Sequence, residues 1–224
     1  MSAVTHPART GLTALTLATG LLLAGCGGDA DADASAEATG HDHGSAEAPA
    51  TLEGGVREGG IQLADPYQKP DFTLTDTSGA PFDFAEQTAA GPTLLFFGFT
   101  NCPDICPTTM ADVMLALGEV DPAVAEQTSV VFVTTDPARD TPEVLREYLD
   151  RFDAGLPYDF IGLTGDQEQI DQAQLAAGIP VAQNGGESHS ALLLLYGTDG
   201  EADVAFDSAN TPRDIALELA ATAG

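Results

Sequence analysis

The sequence predicts an α/β fold, a central mixed sheet flanked by helices, with a hairpin at its N-terminal end. Three observations carry that prediction. Apolar runs of strand length recur between residues 60 and 224. Helix-length segments opened by N-capping residues fall between them. A closing hairpin and a last helix then follow, the order expected of a sheet with helices on both faces. A segment of about 165 residues is long enough for one domain with its own core.

The elements follow in order. Phe72-Thr73-Leu74 and Phe82-Asp83-Phe84 flank the turn residues Asp76-Thr77-Ser78-Gly79 and read as a hairpin. The uninterrupted run from Thr93 to Phe99 reads as a strand buried on both faces, leading to a helix near 105–119. Ser129 to Thr134 is a second such strand. Thr141 as N-cap with Pro142 at the first helical position opens the next helix. A short strand at Asp159-Phe160-Ile161, a helix over 166–177 and a central strand from Ala191 to Tyr196 continue the alternation. Thr198-Asp199-Gly200 turns the chain into Asp203–Phe206, and a last helix begins at Thr211-Pro212. The sequence has no internal repeat.

Between the strand at 93–99 and its helix lies Asn101-Cys102-Pro103-Asp104-Ile105-Cys106-Pro107. Residues four apart share one helix face, so the spacing predicts two sulfurs pointing the same way. Such a pair can close into a disulfide or clasp a soft metal ion as thiolates. A helix N-terminus beside it would lower the thiol pKa. A cysteine pair at the first strand-to-helix turn of this kind of sheet is the thioredoxin-like layout. Met110 and Met114 continue the Cys106 face; methionine can ligate copper, but packing of the helix core is the preferred reading. Asp136, Arg139 and Asp140 read as a capping and ion-pair cluster before the Thr141 helix, and Tyr196 as a strand residue with a satisfied hydroxyl.

The first 25 residues carry one basic residue, Arg9, and an apolar run from Leu12 to Ala24. That is signal-peptide length and too short for a spanning helix, which needs about 20 residues. The run ends in Leu23-Ala24-Gly25-Cys26, which resembles a bacterial lipobox with Cys26 as the acylated mature N-terminus. The competing reading is an ordinary signal peptide with an accidental cysteine. Acyl chains at about 0.8 kcal/mol per buried CH₂ would anchor the chain durably. This places it at the outer face of the bacterial cytoplasmic membrane, where disulfides form. Residues 26–59 read as a lipid-anchored, acidic, flexible linker with too few large apolar side chains to fold. Its His41 and His43 can collect metal weakly, although two solvated histidines are the plainer reading. The whole chain has 7 Lys+Arg against 35 Asp+Glu, a formal charge of −28. That balance excludes nucleic acid as a partner and adhesion to anionic lipid through a basic patch.

Three motifs then resemble one family. Phe99 to Pro107 resembles the CPDICP signature of the Sco/SenC copper chaperones. Thr134 to Glu143 is similar to that family's DPxRDTPE segment, and Ser188-His189-Ser190 stands where the family keeps its metal-binding histidine. The resemblance covers residues 60–224 and implies a thioredoxin-like domain that binds copper, as Cu(I) or Cu(II), at Cys102, Cys106 and His189. It implies delivery to the dinuclear copper centre of cytochrome c oxidase, with the copper-site subunit as partner, and it places Asp136 close to the metal. Ser188 departs from the Asp that many members carry beside the histidine.

The residue chemistry agrees. Two thiolates and an imidazole make a soft set suited to copper, although Cys₂His with an open position also suits zinc. Two thiolates with Cu(I) sum to −1, and with Cu(II) to zero, so one site can hold both states. Against the metallochaperone stands a thiol–disulfide oxidoreductase that keeps the cysteines of an oxidase subunit reduced, since a metal-clasping dithiol is also a redox pair. In either reading, a thioredoxin-like extracytoplasmic reductant is the expected partner of Cys102 and Cys106. A peroxidase using Cys102 fits least, because the site also spends a histidine. The sequence lacks a CxxCH haem motif, a phosphate-binding glycine loop and a recognisable Ser–His–Asp arrangement.

Overall fold

The computed structural model describes residues 56, 57 and 59–223, all within the compact unit Ser45–Gly224. The signal segment, Cys26, His41 and His43 lie outside the described residues.

Strands β1 (Val56–Arg57) and β2 (Gly60–Gln68) open the described chain. The expected hairpin follows as β3 (Thr73–Asp76) and β4 (Pro81–Asp83), closed by the Asp76 carboxylate, which accepts from the Ser78 and Ala80 N–H groups. After a one-turn helix α1 (Phe84–Gln87) comes β5 (Thr93–Gly98), then α2 (Ile105–Glu119) and α3 (Pro122–Gln127). The next elements are β6 (Ser129–Thr134), α4 (Pro142–Asp153), β7 (Ile161–Thr164) and α5 (Gln167–Ala176). A hairpin of β8 (Leu193–Tyr196) and β9 (Glu201–Phe206) leads to α6 (Pro212–Thr222). Among the described residues, nine strands join one mixed sheet in the order β1-β2-β9-β8-β5-β6-β7-β3-β4.

The unbroken apolar run of β5 is explained by the two cores it serves. Leu94 and Phe96 face Met110 and Val113 of α2, Leu149 of α4 and Leu219 of α6. Leu95 and Phe97 face Leu74, Phe84 and Ile170 on the opposite side. Successive side chains of a strand point to opposite faces, so a strand buried on both reads as apolar throughout, with Thr93 at its start tolerated because its hydroxyl bonds the Thr88 carbonyl.

Register gathers the loops that matter. β5 and β6 run parallel from Thr93↔Ser129 to Gly98↔Thr134, so both end at one level. β8 runs antiparallel to β5 with Leu193 opposite Phe96, so it begins at that same level. The loop after β5, the loop after β6 and the approach to β8 therefore meet at one end of the sheet.

Several expectations shift. β7 starts at Ile161 rather than Asp159, because the Phe160 N–H donates to the Asp153 carboxylate instead of a ladder partner, at 2.7 Å. β8 starts at Leu193 because the Leu192 N–H turns to Ser190 Oγ. The β3–β4 hairpin is preceded by β1 and β2, whose pairing with β9 shifts register between Gln62 and Tyr67; that irregularity breaks the alternation a strand is read by. The Tyr196 hydroxyl is not satisfied. It is buried and finds no partner among the described residues, and burial pushes its pKa well up. Tyr196 is held by packing, its ring edge-on to Phe84 with centroids 6.1 Å apart.

Candidate metal centre

Cys102 stands in the turn after β5, its N–H donating to the Phe99 carbonyl, and Cys106 is the second residue of α2. The two do not share a helix face as the spacing predicted. The helix begins at Ile105, and Asp104 before it has non-helical backbone angles, φ −144° and ψ −72°. A capping contact brings the sulfurs together instead: the Cys106 N–H donates to Cys102 Sγ at 3.3 Å. The Asp104 side chain makes no such cap bond, so the Cys102 sulfur takes the place a capping oxygen would occupy.

The helix N-terminus acts on the two thiols unequally. Burial opposes ionisation of Cys102, but hydrogen bonds from the Cys106 side chain and from the Cys106, Asp104 and Ile105 backbone outweigh it and lower its pKa. Cys106 is fully buried, and desolvation, reinforced by the hydrogen bond to Cys102, drives its pKa far up. The expectation that the helix lowers the thiol pKa therefore holds for one cysteine and fails for the other. Burial decides the difference.

His189 follows a tight hairpin closed by the Gln183↔Ser188 bridge. Its Nδ1 lies 2.7 Å from the Ser190 carbonyl, which can only accept, so Nδ1 carries the proton. Nε2 then offers its lone pair, and it lies 3.6 Å from Cys106 Sγ. Phe96 and Phe99 stand edge-on to the imidazole, with centroids 6.2 and 5.6 Å away. Ser188 thus needs no carboxylate to orient the ring; a backbone carbonyl fixes the tautomer, as an outer partner does for a metal-binding histidine.

The ligand atoms of Cys102, Cys106 and His189 all lie within 4.8 Å of one another, and no other such group of three occurs among the described residues. Donors at bond lengths of about 2.0 to 2.3 Å in a tetrahedral or trigonal set stand about 3.3 to 4.0 Å apart. The three donors fit a single ion after a contraction of up to about one ångström. Two sulfurs and one nitrogen suit copper by softness.

Asp136 is outside the donor group. Its carboxylate pairs with Arg139, whose other arm reaches Glu187 at 3.0 Å, two residues before His189. Asp140 does not join that ion pair. Fully buried, it accepts from Thr100 N–H at 2.9 Å, Thr100 Oγ1 at 2.6 Å and Thr134 Oγ1 at 2.6 Å. It ties the cysteine turn to the end of β6. Met110 is fully buried in the core and Met114 packs against it. Thr100 lies in the segment that carries the cysteine signature, but nothing in its type or spacing marks its hydroxyl as a partner of Asp140. Asp140→Ala leaves three donors unsatisfied and is expected to cost about 2 to 4 kcal/mol of stability, read as a lower urea midpoint. Faster alkylation of Cys102 should accompany it.

The family model described as SCO1/SenC matches residues 62–224. The chain belongs to the SCO1/SenC family. A relative in Stutzerimonas stutzeri, described as a putative copper-binding protein, is 42% identical over 138 residues, 58% of this chain and 65% of that protein. The chain spans less than two thirds of the length of the first curated relatives it matches. Among solved structures, Bradyrhizobium japonicum ScoI with copper bound superposes with a TM-score of 0.57 at 31% identity, covering 70% of this chain and 99% of that one. BsSco, described as a Sco-family cytochrome c oxidase assembly protein with a disulfide switch, gives a TM-score of 0.56 at 25% identity, covering 70% and 95%. The fold of this SCO1/SenC chain is the thioredoxin-like one, with its cysteine pair at the first turn from a central strand into a helix.

Proposed function

We propose that this chain is an extracytoplasmic, membrane-anchored copper chaperone that delivers copper to the dinuclear copper centre of cytochrome c oxidase. One observation carries the reading: two cysteine sulfurs and a histidine nitrogen stand close enough to clasp one ion. The likeness to copper-bound ScoI and to the oxidase assembly protein BsSco supports the cargo and the recipient. Copper is the cargo, and the chain's own residues bind and release it. Cys102, half-exposed and with a lowered pKa, is the first sulfur an incoming ion meets. Cys106 must lose its proton as the ion enters, so loading releases protons and strengthens as pH rises. His189 supplies a neutral nitrogen already aimed at the sulfur. Titration of the full chain with Cu(I) and Cu(II) tests the reading, with one copper per chain expected. A chain that takes up no copper in either state overturns it.

The unequal cysteines favour a second reading. An accessible thiol of lowered pKa beside a buried one of raised pKa is the arrangement of an attacking and a resolving thiol. Dithiol/disulfide chemistry then accompanies copper handling, with a thioredoxin-like extracytoplasmic reductant restoring the pair. Turnover of a disulfide substrate, with reductant and without metal, would make the oxidoreductase the primary activity.

Cys26 is the proposed lipid attachment point. Cys26→Ala is expected to leave the fold intact and to release the chain from the membrane fraction of a bacterium competent in lipoprotein processing. Equal membrane retention of both forms would count against the anchor.

A further inference from the structure

We infer that Thr135 is a positioning residue for His189, selectively setting the nitrogen ligand without setting the sulfurs. The inference rests on the copper reading above and adds which side chain tunes the site between Cu(II) and Cu(I).

Thr135 follows the last residue of β6, fully buried, and reaches both segments that carry ligands. Its N–H donates to the Gly98 carbonyl at 2.7 Å, at the end of the strand that enters the cysteine turn. Its hydroxyl lies 2.9 Å from the Gly186 carbonyl and 3.2 Å from that of Gly98. One hydroxyl has one proton to give, and the shorter contact takes it. The backbone of Thr135 thus serves the cysteine side, and its side chain serves the histidine side.

Gly186 belongs to the hairpin that ends at Ser188, directly before His189. That hairpin is pressed against Thr135 so closely that a Cβ on Gly186 would stand 2.2 Å from the Thr135 carbonyl oxygen. Gly186 also has φ +91°, open to glycine and strained for other residues. Glu187, one residue on, is held by Arg139 at 3.0 Å. The backbone that carries His189 is therefore docked on residues 135–139 by a hydroxyl, a close backbone approach and an ion pair. The cysteine side is held at Gly98 by the Thr135 N–H, which a side-chain substitution leaves in place; the hydroxyl's contact there is the longer of its two.

The two copper states read these ligands differently. Cu(I) is satisfied by two soft thiolates, whereas Cu(II) gains more from the imidazole. Removing the hydroxyl while keeping the side-chain shape should loosen the nitrogen and spare the sulfurs. Thr135→Val is expected to weaken Cu(II) binding about threefold to tenfold, less than the roughly tenfold-to-hundredfold cost of losing a direct outer partner of a metal ligand, because Thr135 acts through the Gly186 backbone. Cu(I) affinity should stay within about twofold. Thr135→Ser, which keeps the hydroxyl, should restore the Cu(II) affinity.

The test uses the full chain with His189→Ala as reference. Cu(II) and Cu(I) affinities are measured by competition with chelators, and the Cu(II) site is read by its electron paramagnetic resonance and its thiolate-to-copper absorption. A Thr135→Val spectrum moving toward that of His189→Ala, with rescue by serine, supports the assignment. Glu187→Gln, at an exposed position, provides a second variant that keeps the fold and should move the same spectrum in the same direction, less far. Equal losses in both copper states, or an unchanged Cu(II) site in Thr135→Val, overturn the inference. Should Thr135→Val not fold, an unchanged Cu(II) site in Glu187→Gln overturns it. The unaltered chain separates the two levels: if it binds no copper, the chaperone reading fails; if it binds and only the Thr135 result is negative, this inference fails alone.

Discussion

A chain oxidised to join Cys102 to Cys106 is expected to take up no copper, and to recover full uptake once reduced. A disulfide sulfur carries no thiolate charge and is a poor ligand, so oxidation removes two of the three donors at once. The geometry allows the bond to form locally, since Cys102 Sγ already lies 3.3 Å from the Cys106 nitrogen and both thiols are free. Oxidation releases two electrons and two protons to the disulfide or other oxidant that exchanges with the pair, which is itself reduced. The attack should come at Cys102, because Cys106 is fully buried and its thiol is held protonated. Brief alkylation of the reduced chain should therefore label Cys102 and leave Cys106 largely unmodified, and bound copper should protect both. The measurement is a copper titration of oxidised and reduced chain, with the intramolecular bond verified by mass. Equal affinity in both forms would remove the cysteine pair from the copper site.

Single substitution of either sulfur should be nearly as severe. Outer partners of a ligand alone are worth about tenfold to a hundredfold in affinity, so Cys102→Ser and Cys106→Ser should each cost more than about a hundredfold for Cu(I) and Cu(II) alike. His189→Ala should separate the two states, because two thiolates still suit Cu(I) while Cu(II) loses its nitrogen. Stoichiometry near one copper per chain, absent in both serine variants, is the expected result. Unchanged affinity and spectra across all three would show that copper binds elsewhere. The Cys106→Ser result needs a stability control, because Cys106 is part of the core beneath α2.

The strands from 93 and from 129 and the helices opened by Thr141 and Thr211 were legible because each rests on a local signal: a two-sided apolar run or a Thr-Pro start. A related signal, an Asp121 N-cap followed by Pro122, opens α3, which is only six residues long and does not figure in the sequence reading. β2 was hidden by its break in register against β9, a partner more than a hundred residues away. At the site, Cys102, Cys106 and His189 could be named from motifs. The contrast between the two thiols could not, because it comes from how deeply α2 buries its first turn. The Ser190 carbonyl that orients the imidazole was equally invisible: any residue has one, and only the local backbone path aims it.

One edge of the sheet is a stub, β4, with three residues. A strand edge is a template for another chain, and the shortness of this one leaves few free N–H and C=O groups to copy. β2 covers the six-residue β9, whose buried residues include Val204, Ala205 and Phe206. Trimming the chain to begin after Gln68 would bare that edge, an apolar strand with an unpaired backbone. Proteolytic removal of the chain up to residue 68 should therefore let the domain add strands to its own copies, with aggregation preceding any loss of helix content.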